Sequence, residues 1–178
     1  MTELPRFLLI RERYEIACES YDELYKEEQA EKYFVALKLV KPWGIVLDAG
    51  CGTALLAEYF DFTGTLKNVS LYICLDYSSC MLKRARERLE SLDVRYVLLE
   101  ASIEEIPLPS KSVDVTYSIT VLNLLDNPLE GLKELKRVTR SKLVATVLRE
   151  AKVNDALFEE GCTLEEATSK DDVFFCPV

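Results

Sequence analysis

Two aspartates stand at the ends of apolar runs, beside residues that allow a tight turn. Asp48 lies in VLDAGCGTA, just ahead of Gly50 and Gly52, and Asp76 ends the run LYICLD. Glycines let backbone N–H groups come close to a ligand, and a helix that begins after a strand points its N-terminus at that ligand. An acid at the tip of the neighbouring strand can accept hydrogen bonds from both hydroxyls of a ribose. The spacing therefore predicts a nucleoside-containing ligand at the ends of two adjacent strands.

A dinucleotide site is one interpretation of the glycine loop. The dinucleotide fingerprint has a third small residue, G-x-G-x-x-G/A, which permits close packing of the helix on the strand. This chain has Leu55 at that position, and Asp48 precedes the loop, where a pyrophosphate favours an uncharged strand end. The acid suits a cationic ligand better, so a nicotinamide-dependent enzyme stays open only as a disfavoured alternative.

Strand and helix patterns alternate along most of the chain. The continuous apolar segments are IVLDA, LYICLD, VRYVLLE, VDVTYS and KLVATVLR. Such strands, separated by helices, are typical of a parallel sheet that is covered on both faces. The tail differs, because CTLEEATS and DVFFCPV are joined by too few residues for a crossover and predict an antiparallel hairpin. We therefore expect an α/β fold with a doubly wound, mostly parallel seven-stranded sheet, the last strand antiparallel.

The length of 178 residues is typical of a single domain. We expect N-terminal covering helices over residues 1–43, a ligand-binding core over residues 44–149, and a last helix with the C-terminal hairpin over residues 150–178. The stretch YDELYKEEQAEKYFVALKLV has a broad apolar and aromatic face, to which Tyr21 and Leu24 contribute. A contact between its tyrosines and the ligand competes with a plainer interpretation, a covering helix with half-buried tyrosines.

Three segments together resemble a known family. VLDAGCGTA, LDYSSCMLKRAR and ASIEEIPLPSKSVDVTYS occur in the order and register of the class I S-adenosylmethionine-dependent methyltransferases, especially the small ubiquinone/menaquinone-biosynthesis type. The resemblance covers residues 44–149. It implies a Rossmann-like fold, S-adenosylmethionine as the cofactor and S-adenosylhomocysteine as the product.

The resemblance also implies roles for single residues around the methionine and ribose parts of the cofactor. Asp48 would orient the methionine amino group, and Gly50 and Gly52 would let the backbone lie against the cofactor. Asp76 would bind the ribose hydroxyls. Ser118, at the end of the fourth strand, would offer its backbone carbonyl to the methionine end.

Around the adenine the resemblance is less complete. Tyr77 and Met81 would flank the ring, with core packing as an equally weighted alternative for such apolar residues. The family's usual Asp, which accepts from the adenine amino group, is replaced by Ser102, a weaker acceptor than a carboxylate. The backbone N–H of Ile103 would still reach the ring. Tyr21 is the residue of the N-terminal helices that the resemblance places over the cofactor.

The chain has no histidine, which removes the commonest general base and metal ligand. Methyl transfer from a sulfonium is an in-line displacement whose leaving group departs neutral, so the protein mainly aligns the nucleophile and excludes water. The resemblance thus implies a methyltransferase without a metal. Its acceptor would be nucleophilic without a strong base, such as an amine, a ring nitrogen or a thiolate. The sequence identifies neither the acceptor nor catalytic residues.

The net charge of −9 repels phosphate backbones and favours a small-molecule acceptor over nucleic acid. The main basic cluster, Lys83 to Arg88, has helical spacing and is interpreted as a solvated helix face. Two alternatives stay open: a non-catalytic cofactor-binding module, and a catalytic subunit that needs a partner protein to methylate RNA or protein. We expect a monomer or a weak dimer.

Six cysteines are scattered without a CxxC pair, so zinc spacing is absent. The first fifteen residues lack a secretory pattern and no apolar stretch has membrane-spanning length, so we expect a cytoplasmic protein. Abundant Glu and Lys with a single Gln are typical of a thermophile. A reducing compartment favours free thiols, with a Cys162–Cys176 bridge as the alternative, and Cys51 is interpreted as a packing residue.

Overall fold

The computed structural model describes residues 6–149 and 151–178, which contain six α-helices, seven strands and three short 3₁₀ turns. The helices are α1 (Arg6–Ala17), α2 (Tyr21–Leu39), α3 (Leu55–Phe62), α4 (Ser79–Leu89), α5 (Pro128–Val138) and α6 (Val153–Glu159). The strands are β1 (Gly44–Ala49), β2 (Val69–Asp76), β3 (Tyr96–Glu100), β4 (Val113–Ile119), β5 (Thr139–Leu148), β6 (Thr163–Ala167) and β7 (Asp171–Cys176). None of these helices is long and apolar enough to cross a bilayer.

The strands form one sheet in the order β3-β2-β1-β4-β5-β7-β6. The first five strands of that order pair in parallel. Strand β7 runs antiparallel to both β5 and β6. The predicted fold class is confirmed, including the C-terminal hairpin and the reversed last strand.

Both faces of the sheet are buried, as the apolar strands require. In β1, Val46 and Leu47 are fully buried and belong to two separate apolar clusters, because successive strand residues point to opposite faces. One cluster takes its helical residues from α2, α3 and α4, and the other takes them from α5 and α6. The chain order of the strands reverses between β1 and β4, and such a switch point leaves a crevice for a ligand at the carboxyl ends of the strands.

Two surface predictions are wrong. Leu24 is 64% exposed and lies outside the apolar face of α2. In the basic cluster, Arg88 is not on a solvated face, since only 17% of its side chain is exposed. Its guanidinium binds the carboxylates of Asp22 and Glu58 and the backbone carbonyl of Thr53. Arg88 thereby joins α4 to α2 and α3, a long-range contact that helical spacing alone does not reveal.

The expectation of free thiols is also wrong, because all six cysteines form disulfides: Cys18–Cys80, Cys51–Cys74 and Cys162–Cys176. The last is the cross-strand alternative, with Cα atoms 4.1 Å apart. Cys51 is bridged because the loop after β1 turns onto β2, where the carbonyl of Leu75 accepts from the Cys51 N–H at 3.0 Å. The expectation of free thiols was based on a reducing compartment, whereas disulfide pairing also depends on which cysteines the fold brings close together.

Candidate functional site

The glycine loop after β1 adopts backbone conformations that favour glycine. Gly50 and Gly52 have φ angles of +79° and +52°. The Gly50 N–H donates to the carbonyl of Leu75 at 2.7 Å, which turns the loop toward β2. A Cβ atom at Gly50 would lie 2.4 Å from Cγ2 of Val121, so no larger residue fits there without a shift of its neighbour. The loop therefore exposes backbone along the carboxyl end of the sheet.

Asp76 holds this loop to the next one. Its Oδ2 accepts from the Gly52 N–H at 2.9 Å, and its Oδ1 accepts from the Ser78 N–H at 2.9 Å. Burial raises the pKa of the Asp76 carboxyl, while these backbone hydrogen bonds oppose the rise. A carboxylate has about four acceptor positions. Asp76 can therefore brace both loops and still accept hydrogen bonds from a ribose.

Asp48 lies deeper, at the end of β1. Only 3% of the residue is exposed, and its Oδ2 accepts from the hydroxyl of Tyr72 at 2.5 Å. Burial, and to a smaller extent the Asp76 carboxyl, raise the pKa of Asp48 from 3.8 to about 7 against the effect of that hydrogen bond. A cation placed beside Asp48 would favour its ionised form. The site is thus suited to an ammonium group.

The loops open onto a cavity of about 580 Å³, within the range of small-molecule sites. Its walls include Asp76, the glycine loop, and the 3₁₀ turn Ile103–Glu105 with the preceding Ser102. A smaller cavity of about 20 Å³ is lined by Asp48 and shares Tyr21 with the large one. The two aspartates therefore serve neighbouring compartments at one end of the sheet.

Helices α1 and α2 close the other side of the cavity. From α2, the lining residues repeat at helical spacing and so share one face; they are Tyr21, Tyr25, Glu28, Gln29 and Lys32. From α1, Tyr14 packs near Tyr21, with ring centroids 6.2 Å apart, and Tyr21 lies 4.9 Å from Tyr25. Sequence reasoning singled out the tyrosines of α2 but missed Tyr14 of α1 and the three polar residues of α2, although the spacing of these polar residues to Tyr21 was a usable signal.

Lys32 fastens α2 to the sheet. It is only 1% exposed, and its Nζ lies 2.8 Å from Glu28 Oε1, 2.9 Å from Thr120 Oγ1 and 3.1 Å from Asp171 Oδ1. Thr120, just after β4, has a φ of +60°, an unusual conformation for a β-branched residue. Such strain is concentrated at functional sites and persists only where neighbours enforce it. The network thus fixes the cavity wall beyond β4.

The structure places eight of the ten predicted cofactor-binding residues on the two cavities: Tyr21, Asp48, Gly50, Gly52, Asp76, Tyr77, Ser102 and Ile103. Met81 does not line them. It is 1% exposed in α4, where its N–H donates to Ser78 Oγ. Ser118 is fully buried within β4, and the next two residues, Ile119 and Thr120, line the cavity.

The chain matches the family model described as "Methyltransferase domain" over residues 47–144. It is 42% identical over 95 residues to the malonyl-[acyl-carrier protein] O-methyltransferase of Pectobacterium atrosepticum, covering 53% of this chain and 34% of that protein. The chain spans about a third to a half of the length of the curated relatives it matches.

Solved structures share its fold. The magnesium protoporphyrin IX methyltransferase of Synechocystis with bound S-adenosylmethionine superimposes with a TM-score of 0.77 at 12% identity, covering 98% of each chain. A putative methyltransferase in complex with the Trm112 methyltransferase activator of Haloferax volcanii gives a TM-score of 0.69 at 18% identity, covering 88% of this chain and 79% of the other.

The family match extends over more than half of the chain, and it contains the glycine loop and both strand-end aspartates. The placement of the motif residues agrees with it, since Asp76 and the glycine loop line the large cavity and Asp48 lines the small cavity that shares this loop. The chain therefore belongs to the methyltransferase-domain family, the class I S-adenosylmethionine-dependent methyltransferases.

Proposed function

We propose that this chain transfers a methyl group from S-adenosylmethionine to a small-molecule acceptor. One observation carries the proposal: Asp76 and the glycine loop line a cavity within the size range of small-molecule sites, and Asp48 lines a small cavity that shares this loop. The relatives' names, which mention malonyl-[acyl-carrier protein] and magnesium protoporphyrin, support an acceptor of this class.

The proposed roles divide the cofactor among residues of the chain. Asp76 would bind the ribose, Asp48 the methionine ammonium, and the backbone of Gly50 and Gly52 would lie against both. Ser102 and Ile103 would contact the adenine. When bound, the cofactor supplies an activated methyl group on a sulfonium. The thioether that leaves is neutral, so no acid is needed to expel it.

The rest of the chain would position the acceptor and keep water out. Tyr14, Tyr21 and Tyr25 form an aromatic wall over the cavity, and electron-rich rings favour the positive charge of a sulfonium. Burial acts to raise the pKa of the Glu28 carboxyl, but the hydrogen bonds and charges of Lys170 and Lys32 together outweigh it, so the pKa is lowered. Glu28 is therefore a poor base, which favours an acceptor that is already nucleophilic.

Calorimetry with S-adenosylmethionine and transfer of a radiolabelled methyl group to candidate acceptors test the proposal. Wild type should bind the cofactor, and Asp76→Ala should lose most of that affinity. Asp114→Asn is the matched control, because Asp114 is a buried carboxylate at the opposite end of the sheet, bonded to the N–H of Ile45 and to Arg140. Binding without turnover on any acceptor would favour a non-catalytic module.

A partner-dependent methyltransferase is the second candidate. The fold shared with a methyltransferase bound to the Trm112 activator favours it. In that case a basic partner would be needed to offset the net charge of −9 before RNA could approach. Methylation of purified RNA by this chain alone would contradict the preference for a small acceptor.

We also propose a cytoplasmic location in a thermophile, and a monomer or weak dimer. Intracellular disulfides are a feature of hyperthermophiles. The three disulfides of this chain therefore point to the same origin as its abundant charged residues. Sedimentation at several protein concentrations tests the oligomeric state. A thermal midpoint typical of mesophiles, ~45–65 °C, would contradict the thermophilic origin.

A further inference from the structure

Helix α1 covers the cavity but is weakly docked. Ile10, Arg13 and Tyr14 line the cavity. Of the α1 side chains that the structure describes, none is fully buried, and Leu9 and Ile16 are 51% and 77% exposed. Helix α2, in contrast, buries six residues. Because the described side chains of α1 gain little from apolar burial, we expect α1 to belong to the less stable part of the fold unless something else holds it.

The Cys18–Cys80 disulfide is a covalent cross-link between the end of α1 and the rest of the fold. Cys18 follows directly after α1, and Cys80 lies in the first turn of α4, with the two Cα atoms 6.1 Å apart. The carboxylate of Glu15 adds long hydrogen bonds from the Cys80 N–H and from Ser79 Oγ, each 3.4 Å. Cys80 is only four residues beyond Asp76. The bridge therefore attaches α1 close to Asp76, at the proposed ribose end of the site.

This disulfide is also the most accessible of the three. Cys80 is half-buried, whereas every other cysteine is buried, with at most 7% of the residue exposed. Reduction begins with attack of a thiolate on one sulfur, so access decides which bridge opens first. The bridges Cys51–Cys74 and Cys162–Cys176 should therefore persist after Cys18–Cys80 has opened.

We propose that the Cys18–Cys80 bridge is a redox latch that regulates cofactor exchange; the proposal rests on the proposed function. A dithiol reductant attacks the Cys80 sulfur, the S–S bond breaks, and Cys18 leaves and takes a proton. The second thiol of the reductant then displaces Cys80, so the dithiol becomes a disulfide and both cysteines become thiols. The oxidised latch keeps α1 over the cavity, and the reduced latch lets it move away.

The test measures dissociation of radiolabelled S-adenosylhomocysteine by rapid filtration. It compares oxidised wild type, wild type in dithiothreitol, the double variant C18S/C80S, and the control C162S/C176S, which removes a bridge remote from the cavity. Mass spectrometry of alkylated thiols identifies the open bridges, and circular dichroism checks the fold. Loss of the tether should make dissociation roughly tenfold faster or more, since the bridge gives α1 a high effective concentration over the cavity.

The latch predicts that reduced wild type and C18S/C80S release the ligand at similar, faster rates, while oxidised C162S/C176S matches oxidised wild type. Equal rates in oxidised wild type and C18S/C80S would overturn the latch and leave the proposed function intact. Acceleration in C162S/C176S would also overturn it, because the effect would then be a general loss of rigidity. If no form bound the ligand, the proposed function would fail, and the latch with it. Should C18S/C80S not fold, the comparison of oxidised and reduced wild type decides.

Discussion

Replacing Asp48 with Asn should stabilise the cofactor-free protein at pH 8. Burial raises the pKa of Asp48 from 3.8 to about 7. Each pKa unit is about 1.4 kcal/mol, so ionising Asp48 in the empty fold costs on the order of 4 kcal/mol. Asn has nearly the same shape, keeps an oxygen for the hydroxyl of Tyr72 and carries no charge to desolvate. The gain in the free energy of unfolding should therefore reach a few kcal/mol.

The sign of the pH dependence follows from the two protonation states. The unfolded chain loses the Asp48 proton near pH 3.8, whereas the folded protein keeps it until about pH 7. Between these values the folded state binds more protons, so the contribution of Asp48 to stability falls as pH rises through this window and is level outside it. Between pH 5 and pH 8 the ionisation of Asp48 should lower the free energy of unfolding of wild type by about 3 kcal/mol, a loss that Asp48→Asn should not show.

Cofactor binding should respond in the opposite direction. An ammonium beside Asp48 favours the ionised carboxylate, so the affinity of wild type for S-adenosylmethionine should increase as pH rises from 6 to 8. Asp48→Asn should bind more weakly, with a flatter pH profile. The charge of Asp48 would then lower the stability of the cofactor-free protein and be retained because cofactor binding requires it.

Chemical denaturation at pH 5 and pH 8, with calorimetric titration of S-adenosylmethionine at pH 6, 7 and 8, measures both effects. Asp114→Asn serves as the control, since it changes a buried carboxylate that is remote from the cavity. It should leave the pH profile of binding unchanged. If Asp48→Asn were less stable than wild type at pH 8, or kept the wild-type pH slope of stability, the desolvation argument would be refuted.

Three further predictions follow from the same geometry. Asp76→Ala should weaken cofactor binding by tenfold or more in calorimetry, because charge-assisted hydrogen bonds of about 1.5–3 kcal/mol each are lost; Asp76→Asn, which keeps one oxygen for the Gly52 N–H, should lose less. Ser102→Asp should tighten cofactor binding, because Asp is a stronger acceptor for the adenine amino group. The gain should be at most about tenfold, because the Glu104 carboxylate lies 3.5 Å from the Ser102 hydroxyl and would repel a second carboxylate. Thiol titration of the denatured, unreduced protein should find no reactive thiol, and six would contradict all three bridges.

The sheet and the strand-end residues could be predicted because their signals are local. Apolar runs of strand length, a glycine loop and Ser78 at the start of α4 each specify structure within a few residues; the Ser78 side chain does accept from the Met81 N–H at 3.1 Å. Asp48 and Asp76 both lie near the carboxyl ends of neighbouring parallel strands, with Asp76 two positions beyond Cys74, the partner of Asp48, so the sheet brings them to the same end. Their convergence needed no knowledge of distant contacts.

Other features depend on contacts between distant segments, and the local pattern did not contain them. Arg88 is one position in a run of basic residues, yet only its guanidinium reaches α2 and α3. Lys32 looks like one of many charges on an amphipathic helix. It becomes a buried anchor because β7 places Asp171 beside it, almost 140 residues later. Such residues are identified only when the fold shows which elements face each other.

The cover over the cavity combines both kinds of information. The spacing of Tyr21, Tyr25, Gln29 and Lys32 is a local signal for one helical face, and that face does line the cavity. Its attachment to the sheet is non-local, through Lys32 for α2 and through the Cys18–Cys80 bridge for α1. The side chains of the Lys32–Asp171 ion pair are at most 1% exposed, whereas the bridge ends on the half-buried Cys80. The two helices should therefore differ in mobility: α2 remains part of the rigid wall, and access to the cofactor depends on α1.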